Sequence, residues 1–150
     1  MAENAELTEL LRDLFSSQLL AVLGTQSENG PYGNLVAFAA TGDLKLLLFA
    51  TLRSTRKYQN IADAPKAAMV IDNRSNQEAD FNGAVAVTAT GSVIEVPESE
   101  RDALQKVYLA KHPQLHDFLE SPACALLKVE VDHYHIVRLF QQVVTVSMNR

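Results

Sequence analysis

Ala50-Thr51-Leu52-Arg53-Ser54-Thr55-Arg56-Lys57-Tyr58-Gln59-Asn60-Ile61-Ala62-Asp63-Ala64-Pro65 is the stretch on which the fold assignment depends. It follows an apolar run, Leu44 to Ala50, that reads as a strand. Its own later part, Thr55 to Ala62, reads as a helix that stops before Pro65. Ser54 or Thr55 is placed as the helix cap, and Arg53, Arg56 and Lys57 crowd three cations into five residues. Cations there face the positive end of the helix dipole and weaken an isolated helix by about a few tenths of a kcal/mol each. A bound anion reverses that sign. Backbone N–H groups, two hydroxyls and the cationic side chains then converge on one phosphate, without a Gly-rich loop. The competing reading is a solvated basic turn whose side chains point away from the helix axis.

Upstream, Leu19 to Gln26 reads as a buried strand and Glu28-Asn29-Gly30-Pro31 as a turn whose glycine accepts positive φ. Tyr32 to Ala40 returns as the second strand of a hairpin, and Thr41-Gly42-Asp43 leads into the third, Leu44 to Ala50. Ahead of them, Leu7, Leu10, Leu11, Leu14 and Phe15 recur at helical spacing and predict a short docking helix. Downstream, Ala67 to Asn73 reads as a fourth strand, Arg74 to Gly83 as a polar loop, and Ala84 to Val96 as a long strand rich in Val and Thr.

Pro97-Glu98-Ser99-Glu100 opens a helix with Leu104, Val107 and Tyr108 on its inner face. Pro113 interrupts it, a short helical turn with Leu115, Phe118 and Leu119 follows, and Pro122 closes the insertion. Ala125 to Val131 and His135 to Val146 are expected as two antiparallel strands meeting near Asp132 and His133. The sum is a mainly β (α+β) chain of six or seven antiparallel strands, and a sheet of that size closes into a barrel or splits into two layers.

The 150 residues are enough to bury roughly 70% of the unfolded surface, and no repeat or linker divides them, so one domain over 1–150 is expected. A net charge of −5 gives no global basic field, which argues against nucleic acid or an anionic membrane as partner and makes any anion site local. Cys124 is the only cysteine, excluding an intrachain disulfide and a cysteine-based zinc site. The acidic start, Met1 to Glu6, lacks the basic and apolar runs of a signal peptide, and no apolar run reaches membrane-spanning length. The cytoplasm is the expected compartment.

The strand order, the turn Thr51 to Lys57 and the following Tyr58 to Pro65 resemble the pyridoxamine 5′-phosphate oxidase-like FMN-binding split barrel family, over about Leu7 to Val131. In that family a strand ending in Thr leads through a Ser/Thr-x-Lys or Ser-Arg-Lys turn into a helix with a proline stop; Thr51, Thr55, Arg56, Lys57, Ile61 and Pro65 match. The resemblance implies an antiparallel split β-barrel with an N-terminal helix, a short helix after the third strand and a helical insertion before the last strands. It implies flavin mononucleotide (FMN) as cofactor. Arg56 and Lys57 would hold its phosphate, Thr51 and Thr55 would add hydroxyl bonds, and Arg53 and Ser54 would stand beside them. Asn34-Leu35-Val36-Ala37 would offer main-chain groups to the flavin ring. It also implies a homodimer with the flavin at the subunit interface.

The sequence departs from the oxidase itself. The position where that enzyme carries a glutamine falls near Ala86, there is no Trp, and the tail offers only Arg138 and Arg150, so oxidation of pyridoxamine phosphate is not expected. The insertion Glu98 to Leu119, with Tyr108-Leu109-Ala110-Lys111-His112-Pro113, resembles a small bacterial branch of the family that carries the fold and cofactor without a fixed substrate.

Other constellations have plainer readings. His133 and His135 would share a face if their segment is extended, as a metal or haem site wants, but no third ligand is evident and strand-end histidines are usually exposed. His112 and His116 flank Pro113, which breaks the helix that could pair them, and are expected at the surface. Cys124 is expected to pack as a small apolar residue, and the charge run Glu98 to Asp102 to be a solvated helix start. No metal site is expected. Two functions follow: a flavin-dependent oxidoreductase with a small-molecule substrate or a nicotinamide reductant and no identifiable catalytic side chain, or a non-catalytic flavin- or haem-binding or sensing protein.

Overall fold

A computed structural model describes residues 2–139 and 142–148; Met1, Arg150 and the 140–141 part of the strand expected over 135–146 lie outside them. In chain order the elements are α1 (Ala2–Ser17), β1 (Leu20–Ser27), β2 (Gly30–Ala40), β3 (Leu46–Leu52), α2 (Arg56–Asp63), β4 (Lys66–Asp72) and α3 (Asp80–Gly83). Then come β5 (Val85–Glu95), α4 (Glu98–Lys111), a 3₁₀ turn (Pro113–Leu115), α5 (His116–Glu120), β6 (Cys124–Arg138) and β7 (Gln142–Ser147). The strands are ordered β3-β2-β1-β4-β5-β6, and β3 also pairs with β6, so six antiparallel strands close a barrel and β7 is added beside β6. The length of β6 makes this work. Its first half bonds to β3 and its second half to β7, while β5 runs along the other edge.

Two apolar clusters hold the barrel. Leu47 and Phe49 point inward against Leu23, Phe38 and Met69, while Leu48 and Leu126 point outward and are equally buried beneath Leu104, Tyr108 and Leu119 of α4 and α5. A strand covered on both faces has no polar face to alternate, which is why β3 reads as an unbroken apolar run. From α1, Leu7, Leu11, Leu14 and Phe15 join the inner cluster, with the Phe15 ring edge-on to Phe38 at 5.8 Å. Each such fully buried side chain contributes roughly 1.5–3 kcal/mol of apolar burial.

Two expectations are corrected. The chain does not turn near Asp132 and His133, because β6 runs straight through them; the connection to β7 comes after Leu139, at φ 53. The register against β5 shifts there, with Thr90 opposite His133 and Gly91 opposite Val131, so Asp132 is the extra residue of a bulge. The bulge moves the inward phase from Val129 and Val131 to Tyr134 and Ile136, and in sequence that broken alternation mimics a turn. His112 is buried rather than exposed: α4 packs on β2 and brings its Nε2 to 2.7 Å from the Phe38 carbonyl oxygen. The polar loop 74–83 also contains α3, pinned by the Asp80 carboxylate, which accepts from the backbone N–H groups of Ser75 and Asn76. No described helix is long and apolar enough to cross a membrane.

Candidate functional site

The barrel has an open seam. β2 pairs with β1 from Gly30 to Ala37 but with β3 only at Phe38, Ala39 and Ala40. Asn34-Leu35-Val36-Ala37 therefore keep a main-chain edge without a ladder partner on the β3 side. Continuing the register would set Ala37 opposite Ala50 and Val36 opposite Thr51. The Tyr108 hydroxyl stands in the gap instead, donating to the Ala37 carbonyl at 3.1 Å. Burial pushes its pKa up to about 12, which keeps it a donor, while the Ala50 backbone N–H faces the same oxygen and opposes that rise.

The turn at the end of β3 adjoins this seam. Thr55 caps α2: its Oγ1 accepts from the Tyr58 N–H at 3.4 Å and donates to the Leu52 carbonyl at 2.9 Å. The buried Thr51 hydroxyl lies 2.9 Å from that of Thr55. Both hydroxyls thus build the turn, and Ser54 presents the exposed hydroxyl without a described partner.

Arg53 is not turned toward an anion at the helix start. Its Nη1 donates to the carbonyls of Pro122 (2.8 Å) and Cys124 (3.1 Å), and its Nη2 to Glu95 Oε2 at 2.7 Å. The Tyr58 hydroxyl donates to the other Glu95 oxygen at 2.9 Å. Burial alone would raise the Glu95 pKa, but the bonds from Arg53 and Tyr58 and the guanidinium charge hold it below its ordinary value. Arg56 and Lys57 differ: among the described residues neither makes a hydrogen bond or ion pair. Arg56 is exposed, whereas Lys57 is half-buried, and that burial lowers its pKa. A desolvated ammonium without a counter-charge, at the positive end of a helix, is an unfavourable arrangement until an anion joins it.

On β2, Leu35 points outward and is 62% exposed, Val36 is buried, and the Ala37 carbonyl is taken by Tyr108. The Asn34 Oδ1 is buried and has no hydrogen-bond partner. Two residues along β1 from Leu23, its register partner, the buried Thr25 hydroxyl accepts from Asn60 Nδ2 of α2 at 3.1 Å, so α2 covers this end of the barrel. Sequence reasoning missed Glu95, Tyr58 and Tyr108. Only Tyr58, three residues past a cap, carried a local signal.

Two features outside the turn do not suit a phosphate. Cys124 is buried and burial raises its thiol pKa, as expected of a packed residue. A hollow of about 740 Å³ beside α1 is lined by Glu6, Glu9 and Asp13, which would repel a phosphate.

A family model described as pyridoxamine 5′-phosphate oxidase matches residues 7–138. No curated protein matches the chain. Among solved structures, a heme binding protein from Mycobacterium smegmatis is similar at TM-score 0.82 and 16% identity, over 93% of this chain and 57% of that one. This chain thus spans little more than half of that protein's length. General Stress Protein 26 from Bacillus anthracis is similar at TM-score 0.72 and 18% identity, over 95% and 98% of the two chains. A FAD-binding protein from Mesorhizobium loti is similar at TM-score 0.69 and 12% identity, over 85% and 90%. At these identities the structural likeness shows the fold alone.

Proposed function

The chain belongs to the pyridoxamine 5′-phosphate oxidase family, and on that premise we propose that it is a cytoplasmic FMN-binding protein in which Arg56 and Lys57 hold the flavin phosphate. The observation that carries this reading is the pair of unpartnered cations at the start of α2, one of them half-buried. A phosphate there gains two charge-assisted bonds, the first-turn amides of α2 and the Ser54 hydroxyl, and it reverses the cation–dipole conflict. The open edge of β2 supports the fit on the other side of the seam: the main-chain groups of Leu35, which alternate away from β1, suit the polar edge of a flat ring, and the Asn34 Oδ1 lacks a donor.

When bound, FMN supplies hydride or single-electron chemistry, so an oxidoreductase is the function it would serve. The chain contributes binding and orientation. Glu95, the carboxylate nearest the turn in the hydrogen-bond network, is held ionised and accepts from both neighbours, so it is not an acid poised to give a proton.

A homodimer completes the site in this reading. Its support is an outward apolar patch on β1, β2 and β4, where Leu19, Leu20 and Leu35 are each more than half exposed around a hollow of about 490 Å³ shared with Val22 and Val70. A second reading, non-catalytic haem binding, draws on the likeness to the mycobacterial heme binding protein. The absorbance spectrum of the purified protein separates the two cofactors, and reduction by a nicotinamide nucleotide separates an oxidoreductase from a carrier.

Titration of apo-protein with FMN and with riboflavin tests the phosphate assignment. Arg56→Ala combined with Lys57→Ala should weaken FMN binding by about a hundredfold, the loss of two charged hydrogen bonds. Riboflavin, without a phosphate, should bind both proteins alike. Equal FMN affinity in the two proteins would sink the assignment.

A further inference from the structure

His133 and His135 stand on the outward face of β6, and the continuity of that strand past Asp132 is what puts them on one side. Their ring centres are 5.9 Å apart with planes tilted by 38°. The Nδ1 of His133 lies 3.1 Å from the Ser147 hydroxyl, and the Nδ1 of His135 lies 3.1 Å from the Thr145 hydroxyl, both on β7. A ring that donates its Nδ1 proton to such a hydroxyl carries its lone pair on Nε2. In both rings that nitrogen is the far one, and no described residue bonds to it.

We propose that His133 and His135 form a binding site for a borderline divalent transition-metal ion, such as Zn²⁺ or Ni²⁺, held through the two Nε2 atoms with water completing its coordination. A metal about 2.0–2.1 Å from two imidazole nitrogens sits about 3.2 Å from each ring centre, which sets the centres about 5–6 Å apart for bond angles of about 105–135°. The observed separation stands at the wide limit of that range, near an angle of about 135°. Imidazole is the ligand type such ions favour, and the β7 hydroxyls act as the outer partners that fix tautomer and ring orientation. Thr88 and Thr90 of β5, cross-strand from His135 and His133, place uncharged side chains beside the rings. Among the described residues no group of three or more His, Cys, Asp or Glu side chains converges. With two protein ligands the ion is held exchangeably rather than permanently. The site lies on the half of β6 that pairs with β7, beyond the residues 124–130 that pair with β3, and shares no residue with the phosphate turn, so it stands or falls independently of the flavin reading.

The plain alternative is that each histidine only pairs with its cross-strand hydroxyl. Calorimetric titration of the untagged full chain with Zn²⁺ and with Ni²⁺ decides, in a His116→Ala background that removes the surface imidazole beside Asp117 and Glu120. One ion per chain is expected. His133→Ala or His135→Ala should each weaken binding at least about tenfold, and Thr145→Val should give a smaller loss by freeing the tautomer. Histidine-ring NMR should show Zn²⁺ shifting the Nε2 signals of both residues together. If the His133→Ala/His135→Ala protein binds either ion as tightly as its parent, or only one ring responds, the two-imidazole site is overturned.

Discussion

The Tyr108 hydroxyl donates to the carbonyl of Ala37 at 3.1 Å, across 71 residues of sequence, and occupies the place where β2 and β3 would otherwise exchange a ladder bond. One helical turn on, His112 engages the next carbonyl, that of Phe38, at 2.7 Å, and the two rings lie 5.1 Å apart. Helix α4 thus does more than cover the outside of β3. It satisfies one β2 carbonyl at the seam, that of Ala37, and one on the β1 side, that of Phe38, while the edge at Leu35 stays open.

Tyr108→Phe keeps the ring in its pocket and removes the donor. The part-buried Ala37 carbonyl then lacks its partner, and urea denaturation should show a loss of about 1–3 kcal/mol with an unchanged m-value. An unchanged midpoint would mean that the strands zip together and supply the missing bond themselves.

Gly91 marks the other irregularity. A Cβ there would fall on the Glu130 carbonyl oxygen, 2.9 Å from its carbon and 3.1 Å from the Val131 Cα. All three are backbone atoms and none can rotate away. Gly91→Ala should therefore cost at least about 3 kcal/mol, read as a large fall in Tm or as insoluble protein. A Tm near that of the parent would show that β5 and β6 separate there without penalty.

The parts of this fold legible in sequence are those whose physics is local. Thr55 as a cap, the proline stop at Pro65 and the two-sided burial of β3 each follow from a few adjacent residues. Barrel closure does not, because it joins Leu46 to Glu130 and depends on how far β6 extends. The bulge at Asp132 looks like a turn unless Gly91 is known to lie opposite. In the site, Arg56 and Lys57 stand out by their conflict with the helix dipole. The commitment of Arg53 is set by Glu95, 42 residues away, and three cations in one turn look equivalent until that partner is placed.

Lys111 gives a prediction with a defined pH window. Its ammonium lies 3.7 Å from the centre of the Phe38 ring and donates at 2.7 Å to the Phe15 carbonyl, near the end of α1. Burial nevertheless lowers its pKa from 10.5 to about 8. The folded state therefore releases this proton first, and between about pH 8 and 10.5 the unfolded chain holds more protons. Stability gains a rising contribution across that window, whereas below about pH 8 the full penalty of the buried charge applies. Lys111→Met should remove this rise. Denaturation of both proteins from pH 7 to 10 tests it, and parallel curves would mean that the ring and carbonyl hold the charge at its ordinary pKa.

Glu95 ties the proposed phosphate turn to the rest of the molecule, and its replacement probes that turn directly. Its carboxyl is held below the ordinary 4.5, so the stabilisation is present above that value and is lost as the pH falls through the folded pKa. Glu95→Gln keeps an acceptor but removes the charge. With both side chains of the Arg53–Glu95 pair more than a third exposed, the cost should be only about 0.2–1 kcal/mol near neutrality. The acid limb of the stability curve, below about pH 4.5, should become shallower. On FMN titration a turn less firmly held must be ordered by the ligand, and affinity should fall about two- to fivefold, with riboflavin unaffected. Tighter FMN binding would carry the opposite meaning: Arg53, released from its carboxylate, would have joined Arg56 and Lys57 on the phosphate.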